Sequence, residues 1–288
     1  MDLSIIIVSY NTCDLIGACL SSVIAFDGMD KEIFVVDNAS IDGSGAYIQE
    51  HFPSVHLVIN QENRGFGAAN NQVLPHSRGR YIFFINPDTD VMLGTFGKAV
   101  SYMDANPHIG LAGTKIINQN GTLQESVSYR YPGQRHTRGE LSGLKGQIAC
   151  VQGSSMIARA EIMRTLGGFD EDFFLYGEDQ DLCLRIRKAG YGIGYIEDAV
   201  LIHLKGQSER QTPLSEVWKK KIRAEYLFYR KHYLPETVAR ITREHLLKAR
   251  WRRATIKLTL PFVRNKARAK EKLIKYKITD YEIRHPEK

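Results

Sequence analysis

Short hydrophobic runs alternate with amphipathic stretches along the first half of the chain. Four runs are rich in β-branched or aromatic residues and are bounded by turn-forming residues, which is typical of strands buried on both faces. They are Leu3–Val8, Ile33–Val36, Val55–Ile59 and Tyr81–Ile85. The pattern therefore predicts four strands of a buried sheet.

Amphipathic segments follow these runs. The first has hydrophobic residues at helical spacing, with Asn11 and Thr12 before them as candidate N-caps. This stripe consists of Leu15, Cys19, Val23 and Phe26, and three further helices are expected at Gly43–His51, Phe66–His76 and Thr95–Asn106. The alternation of strands and helices predicts an α/β fold with a mostly parallel central sheet and right-handed crossovers.

Helical spacing returns near the C-terminus. One row, expected to pack on the preceding domain, consists of Trp218, Ile222, Tyr226 and Tyr229. A second row is surrounded by Arg and Lys and interrupted by Pro261; it consists of Leu247, Trp251, Ala254, Leu258 and Phe262. We therefore divide the chain into an α/β domain of residues 1–213 and a helical, basic C-terminal extension of residues 214–288.

The charge of the chain divides in a similar way. The 288 residues include 39 Lys and Arg against 32 Asp and Glu, a net charge of +7. Residues 1–213 contain 17 basic and 24 acidic side chains, whereas residues 245–277 contain 12 basic side chains and one acidic, Glu271. The acidic body argues against nucleic-acid binding. The tail, at +11, suggests an anionic membrane surface; a solvated basic face, a dimer contact and a disordered tail are the alternatives.

The lengths of the hydrophobic runs and the spacing of the cysteines indicate the cellular compartment. No run reaches the ~18 residues that a spanning helix needs, and no basic leader precedes the first run. None of the cysteines forms a CxxC pair or follows a zinc-ligand spacing; they are Cys13, Cys19, Cys150 and Cys183. We therefore expect a cytoplasmic protein, which the basic tail would hold at the inner face of the plasma membrane.

Polar residues follow three of the predicted strands. They are Ser9-Tyr10-Asn11, Asp37–Ser40 and Asn86–Asp90. Ligands of such sheets bind outside the carboxyl ends of the strands, so these residues predict one site. An Asx turn or a helix cap would explain Asp37 equally well. Asp88 and Asp90 flank a single residue in a loop held by Pro87, and both can reach the same hard divalent cation.

A second acidic segment, Gly167–Leu182, leads into a predicted helix that ends at Gly190. Its apolar positions are Leu182, Ile186 and Ala189. Glu178 and Asp179 fall at the amino end of this helix, where the macrodipole favours the ionised carboxylate that a general base requires. Simple helix capping is the alternative. For Asp181 we prefer an ion pair with Arg185 four residues later.

Five motifs in order resemble those of family 2 glycosyltransferases with the GT-A fold, especially the bacterial rhamnosyltransferase-like branch. They are SIIIVSYN (Ser4–Asn11), VVDNASIDGS (Val35–Ser44), ENRGFGAANN (Glu62–Asn71), NPDTD (Asn86–Asp90) and GEDQDLCLR (Gly177–Arg185). The match covers residues 3 to about 205, roughly 70% of the chain, and ordered motifs are far more specific than a lone DxD.

The resemblance implies roles on the donor side. Asp37 matches the acid that contacts the nucleotide base, and Ser9 and Asn11 would also bind the nucleotide-sugar. The loop beside the nucleotide and its diphosphate is similar to Asn63-Arg64-Gly65. Asp88, together with Asp90, matches the DxD motif, which holds Mg²⁺ or Mn²⁺ on the diphosphate.

The resemblance also implies roles around the acceptor. Asp179 matches the second acid of the ED pair, the catalytic base. Glu178, and Gly153 within Val151–Met156, would lie on the acceptor side. His203 stands where some relatives supply a third metal ligand, although a histidine after an apolar run is also often a structural residue.

These roles imply an inverting, metal-dependent transfer from a nucleoside-diphosphate sugar to a saccharide or lipid-linked saccharide in bacterial cell-surface polysaccharide synthesis. Asp179 would take the proton of the acceptor hydroxyl as its oxygen attacks the anomeric carbon, and the metal would offset the charge on the leaving diphosphate. The motifs favour dTDP-L-rhamnose as donor, with UDP-hexoses next.

Two other classes of protein would explain part of the sequence. A sugar nucleotidyltransferase shares the α/β architecture and the metal, but it is expected to carry a Gly-rich, Arg-containing phosphate loop where this chain has Ser9-Tyr10-Asn11-Thr12. A non-catalytic membrane-binding scaffold would explain the basic tail, yet it leaves Asp88, Asp90 and Asp179 without a role.

Overall fold

The structure is a computed structural model that describes residues 1–25, 28–204 and 212–285. These residues form two compact units. The first comprises the described residues of 1–131, 144–174 and 178–210, and the second those of 132–143, 175–177 and 211–288.

The first unit is an α/β structure. Its strands are β1 (Leu3–Ser9), β2 (Lys31–Asp37), β3 (His56–Ile59), β4 (Tyr81–Ile85), β5 (Thr89–Val91), β6 (Ile109–Ile117), β7 (Val127–Ser128), β8 (Cys150–Val151), β9 (Ser155–Arg159) and β10 (Gly192–His203). Its helices are α1 (Cys13–Ile24), α2 (Ser44–His51), α3 (Phe66–Asn71), α4 (Thr95–Ala105), α5 (Ala160–Leu166) and α6 (Glu178–Lys188).

Eight of these strands form one sheet in the order β3-β2-β1-β4-β9-β6-β10-β5. Strands β1 to β4 run parallel to one another, and β10 runs parallel to β6, whereas β9 and β5 are antiparallel to their neighbours. The expected α/β fold with a mostly parallel sheet is therefore confirmed. These directions place the carboxyl ends of β1, β2, β4 and β10 at the same edge of the sheet as the amino ends of β5 and β9.

Hydrophobic side chains cover both faces of this sheet. On one face, Ile5, Val35 and Phe83 belong to a cluster that also includes residues of α1, α2 and α4. On the other, Phe84 packs against Phe169 with ring centroids 5.0 Å apart. Burying one such side chain contributes about 1.5–3 kcal/mol, so the two layers fix the strands whose ends carry the polar loops.

The elements differ from the hydrophobic pattern in a few places. Strand β3 is half-exposed rather than buried on both faces, because it is the outer strand of the sheet. The helix expected at Phe66–His76 is divided into α3 and a 3₁₀ turn, since Pro75 cannot donate the backbone hydrogen bond of an α-helix. Ala189 is exposed beyond the end of α6. Phe26 lies outside the described residues.

Strand β10 contains a bulge. Ile196 pairs with Thr114 and Val200 pairs with Lys115, so residues 197–199 have no counterpart on β6. After the bulge, His203 pairs with Thr89 of β5. The end of β10 is thereby carried to the loop that joins β4 to β5.

The second unit is helical. Its helices are α7 (Leu214–His232), α8 (Pro235–Thr259) and α9 (Lys266–Arg284). Tyr229 and Ile241 are buried in it, and Arg223 of α7 pairs with Glu282 of α9 at 2.7 Å. Of the helices described, none has the length and apolar character needed to span a bilayer.

Candidate active site

The loops after β1 and β2 are joined at the common edge of the sheet. Ser9 and Asp37 are neighbours in the register of the two strands. Asn11 has a φ of +52°, a left-handed conformation that asparagine tolerates better than most residues. Its backbone N–H donates to Ser40 Oγ at 2.9 Å, and its Oδ1 accepts from the N–H of Ile41 at 2.9 Å. The two loops therefore form one rigid wall.

Asp37 is buried in this wall. Its Oδ1 accepts a hydrogen bond from the Ser40 hydroxyl, and burial raises the pKa of its carboxyl group. A Cβ atom on Gly45 would lie only 2.8 Å from Asp37 Oδ2, so the glycine leaves room for that oxygen. Helix α2 begins after Gly43, and Asp42 accepts the N–H of Ser44. Asp37 is therefore not the cap of this helix.

Asn38 positions the loop of residues 63–65, although sequence reasoning did not select it. Its Nδ2 donates to Asn63 Oδ1 at 2.9 Å and to the Gly65 carbonyl oxygen at 3.2 Å. The N–H of Arg64 donates to Asn38 Oδ1 at 3.0 Å, while the Arg64 side chain is exposed. The signal for Asn38 was its place next to Asp37 at the end of β2.

Gly65 brings this loop against the second acidic segment. Its φ is +82°, and a Cβ atom there would lie 2.5 Å from the carbonyl oxygen of Phe174. The same oxygen accepts the N–H of Phe66 at 2.9 Å. The motif Glu62–Asn71 and the second acidic segment, more than 100 residues apart in the sequence, thus meet through backbone contacts at Phe174.

Asp88 and His203 are brought together at the opposite side of the site. Both side chains are buried, and His203 Nε2 lies 3.3 Å from Asp88 Oδ1. Gln124, another residue that sequence reasoning missed, donates from Nε2 to the His203 carbonyl oxygen at 2.6 Å. Its Oε1 therefore faces His203 Nδ1, at 3.1 Å, and requires the proton there. When the imidazole is neutral, its Nε2 lone pair then points at Asp88 Oδ1, which accepts no hydrogen bond from another described residue.

The carboxylate oxygen of Asp88 and the Nε2 lone pair of His203 repel each other, because both are hydrogen-bond acceptors. A cation bound to both would remove this repulsion. A carboxylate oxygen and an imidazole nitrogen fit Mg²⁺ or Mn²⁺. Asp90 is exposed, on the face of β5 opposite Thr89 and Val91. In the described part of the chain, no three His, Cys, Asp or Glu side chains are grouped to hold a metal. A cation at Asp88 and His203 would therefore take further ligands from a substrate, from water or from Asp90 after a movement of its exposed side chain.

Glu178 and Asp179 begin α6 beside the loop that precedes β9. Asp179 Oδ1 accepts the N–H of Gln180 at 2.8 Å, and Oδ2 accepts the N–H of Gly153 at 3.3 Å. A Cβ atom on Gly153 would lie 3.6 Å from Asp179 Cβ and 3.9 Å from the ring of Phe66. A side chain at position 153 would therefore lie in ordinary van der Waals contact with Asp179.

Burial raises the pKa values of both acids. The pKa of Glu178 rises to about 8 because the group is buried and lies next to Asp179, and burial also raises the pKa of Asp179. The expectation that the helix macrodipole would favour the ionised forms is therefore wrong in direction, since the loss of solvation outweighs it. Asp181 pairs with Arg185 at 2.7 Å, as predicted.

Several buried oxygens around these groups lack a hydrogen-bond partner. Those of the first unit, within the described residues, are Asn70 Oδ1, Asp88 Oδ1, Ser154 Oγ and Glu178 Oε2. Ser154 follows Gly153, and the Nδ2 of Asn70 donates to the carbonyl oxygen of Phe66. Since buried polar groups are normally satisfied, each of these oxygens is free to accept a hydrogen bond from water or from a polar ligand. Asn70 and Ser154 lay within the sequence motifs, but only their burial distinguishes them.

Comparisons with known proteins identify the family of the chain. The family model described as glycosyl transferase family 2 matches residues 4–167. An N-acetylglucosaminyl-diphospho-decaprenol L-rhamnosyltransferase from Mycobacterium tuberculosis is 24% identical over 245 residues, which cover 75% of this chain and 80% of that protein. The low-salt glycan biosynthesis hexosyltransferase Agl10 from Haloferax volcanii is 26% identical over 218 residues, covering 70% of this chain and 67% of that protein.

Solved structures share the fold. The mannosyltransferase PcManGT from Pyrobaculum calidifontis, in complex with GDP-Man and Mn²⁺, matches with a TM-score of 0.62 at 16% identity, covering 99% of this chain and 88% of that one. Residues 1–349 of S. aureus TarS in complex with UDP match with a TM-score of 0.55 at 16% identity, covering 100% and 92%.

Proposed function

Because this chain belongs to glycosyl transferase family 2, we propose that it transfers a sugar, with inversion, from a nucleoside-diphosphate sugar to a hydroxyl group of a saccharide or lipid-linked saccharide. We assign the chemistry to residues 1–213 and treat residues 214–288 as an accessory extension. The alternatives of a sugar nucleotidyltransferase and a non-catalytic scaffold receive no support from the family match.

One observation carries this proposal. Four buried oxygens of the described first unit have no hydrogen-bond partner. One belongs to the Asp88–His203 pair, one to Glu178 at the start of α6, and the other two to Ser154, next to Gly153, and to Asn70, which is hydrogen-bonded to Phe66 near Gly153. A sugar linked to a diphosphate offers both hydroxyl donors and a strongly anionic group, so it would satisfy both sides of the site. We assign Asn70 Oδ1 and Ser154 Oγ to the sugar hydroxyls.

The donor nucleotide would lie along the wall formed by the first two loops. The second oxygen of Asp37, Oδ2, would accept an N–H of the base, and Asn11 belongs to the same joined loops. Ser9 is fully buried, with its hydroxyl oxygen 2.7 Å from that of Thr12, and would position these loops rather than touch the nucleotide. The loop Asn63-Arg64-Gly65 presents an exposed guanidinium group that can reach the diphosphate. Asn38 keeps that loop in position through its hydrogen bonds.

Asp88 and His203 are the residues that would hold Mg²⁺ or Mn²⁺. Asp90, two residues after Asp88, would supply a further carboxylate oxygen. Such a cation would supply positive charge to the departing diphosphate. Gln124 fixes the imidazole of His203 through its two hydrogen bonds. The named complex of PcManGT with GDP-Man and Mn²⁺ supports this assignment by similarity of fold.

The chemical step is a single displacement. The acceptor oxygen forms a bond to the anomeric carbon while the bond from that carbon to the phosphate oxygen breaks, and the electron pair leaves with the nucleoside diphosphate. Asp179 takes the proton of the acceptor hydroxyl. Its raised pKa makes it a stronger base than an exposed aspartate, because the proton is bound more tightly at a buried carboxylate. Gly153 and Glu178 border the acceptor on this side.

The relatives guide the choice of substrates. The name of the mycobacterial relative specifies an L-rhamnosyl group and a diphospho-decaprenol acceptor. We therefore propose dTDP-L-rhamnose as the first donor to test, followed by UDP-hexoses, and a polyprenyl-diphosphate-linked saccharide in bacterial cell-surface polysaccharide synthesis as acceptor.

The test is a transfer assay with a panel of nucleotide-sugars, with MnCl₂ or with EDTA, that measures both the released nucleoside diphosphate and the glycosylated acceptor. We expect metal-dependent release of nucleoside diphosphate in step with product. Release of pyrophosphate from a nucleoside triphosphate and a sugar 1-phosphate would instead identify a nucleotidyltransferase. If neither kind of substrate is turned over, the non-catalytic scaffold is the remaining explanation.

The metal assignment has its own test. Asp90→Ala should abolish the Mn²⁺-dependent increase in melting temperature caused by a nucleoside diphosphate, without loss of fold, because the side chain is exposed. Asp198→Ala, which removes another exposed acid, is the matched control. Unchanged nucleotide affinity of Asp90→Ala in Mn²⁺ would refute the assignment.

A further inference from the structure

Helix α8 carries a row of hydrophobic residues that faces solvent. The row consists of Leu247, Trp251, Ala254 and Leu258, and Phe262 continues it just beyond the helix. Trp251 is 60% exposed, Leu258 76% and Phe262 87%. The helix packs in its own unit through a different face, where Ile241 and Ala249 are buried. The exposed row is therefore not needed to hold the helix in place.

Basic residues lie on both sides of this row. At 100° per residue, Lys248 and Arg252 fall on one flank, and Arg243, Arg250 and Lys257 fall on the other; all five are exposed. Arg252 also stacks on the ring of Trp251, 4.8 Å from its centroid. The acidic residue nearest the start of the row, Glu244, is paired with Arg135 and His136.

We infer that this row and its basic flanks, the docking face of α8, bind an anionic lipid surface. Insertion of the hydrophobic row at the boundary of headgroups and acyl chains would bury Trp251, Leu258 and Phe262, and the flanking side chains would reach the lipid phosphates. The charge of +11 over residues 245–277 matches such a surface. A nucleic acid would engage only the flanks and leave the row in water. The inference rests on the helical C-terminal extension and does not depend on the proposed transferase activity.

The chain supplies its own fluorescent probe, since it contains two tryptophans. In a Trp218→Phe background, Trp251 is the sole tryptophan. With vesicles of phosphatidylcholine and phosphatidylglycerol, its emission should shift to the blue and be quenched by brominated acyl chains. The effect should be weak with phosphatidylcholine alone and should decrease in 0.5 M NaCl, because salt screens the basic flanks.

Two variants separate the docking face from other exposed hydrophobic residues. Leu258→Ser combined with Phe262→Ser should weaken vesicle binding about ten-fold or more, because both side chains would enter the lipid. Leu214→Ser is the matched control, since this exposed leucine lies on α7 and outside the row, and its vesicle binding should be unchanged. Both changes are at exposed positions, so melting temperatures should stay near that of the parent.

Four results would overturn the inference. The first is no blue shift with anionic vesicles, and the second is binding that the double variant does not weaken. The third is a shift that depends on protein concentration and is not quenched by brominated lipid, which would identify a second copy as the partner. The fourth is that RNA displaces the parent and the double variant from vesicles equally well, which would identify a site for polyanions in general.

Discussion

Gln124 and His203, 79 residues apart, form a paired contact in which the amide of Gln124 binds both the carbonyl oxygen and Nδ1 of His203. Because this contact fixes the imidazole tautomer, Gln124→Met should lower the affinity for Mn²⁺ by about 10–100-fold while the nucleotide alone still binds. Titration of Mn²⁺ by electron paramagnetic resonance, with nucleoside diphosphate present, measures the change. Gln49→Met at an exposed position is the control, and equal Mn²⁺ affinity of both variants would argue against a metal at His203.

Asp179 and Asp181 should respond differently to the same substitution. Asp179→Asn retains the size of the side chain but cannot take a proton, so kcat should fall about 100-fold or more while donor binding persists. Its melting temperature should change little, because removing a buried charge beside Glu178 offsets the loss of one of the two backbone hydrogen bonds that Asp179 accepts. Single-turnover rates and thermal unfolding measure the two effects.

Asp181→Asn is the matched comparison. It breaks the buried pair with Arg185 and should lower the free energy of unfolding by about 1–3 kcal/mol, with a near-normal rate per folded molecule. A near-normal rate for Asp179→Asn, or an equal or larger loss of rate for Asp181→Asn, would move the base away from Asp179.

Glu178 makes stability depend on pH. Its pKa is about 8 in the folded protein and near 4.5 when unperturbed, so between these values the native state holds a proton that the unfolded chain releases. The stabilisation is complete below the lower value and is lost as pH rises through the upper one. Glu178→Gln should therefore flatten the fall of melting temperature between about pH 5 and pH 8. Glu161→Gln, at an exposed position, is the control and should leave this pH dependence unchanged. If the melting temperatures of Glu178→Gln and the parent fall equally with pH, the raised pKa of Glu178 is contradicted.

Gly45 offers a test of Asp37. In Gly45→Ala the new Cβ would lie 2.8 Å from Asp37 Oδ2, so the carboxyl group must move and nucleotide affinity should fall about ten-fold or more, with the fold retained. Gly97→Ala in α4 is the control, since its Cβ would meet only Met29 Sδ at 3.9 Å, and it should raise stability by about 0.5–1 kcal/mol. Calorimetric titration with nucleoside diphosphate measures both, and unchanged affinity in Gly45→Ala would exclude Asp37 from the nucleotide site.

Local patterns in the sequence were sufficient for much of the fold. Tyr81–Ile85 is a strand from end to end as expected, because a buried β-branched and aromatic run is determined by its own composition. The antiparallel direction of β9 was not predictable in this way. It depends on which strands β9 lies between, and strand pairing is a non-local property.

In the candidate site, too, local sequence patterns predicted some features, whereas others depend on contacts between distant residues. The sequence motifs located the residues that carry charge, such as Asp37, Asp88 and Asp179. They gave no indication of Gln124, whose importance arises from contact with a distant residue. The pKa shift of Glu178 was also missed, because burial depends on the tertiary packing around the start of α6 and not on the motif itself.

The bulge of β10 acts as a spacer between the sheet and the candidate metal site. Successive side chains of a strand point to opposite faces, so a change of one residue in the length of 197–199 would turn the segment that follows it to the other face. His203 would then exchange places with its apolar neighbour Ile202, and Asp88 would lose its imidazole partner while every site residue remained in the sequence. Among homologues, the length of this bulge therefore bears on metal dependence as much as the identity of the ligands does.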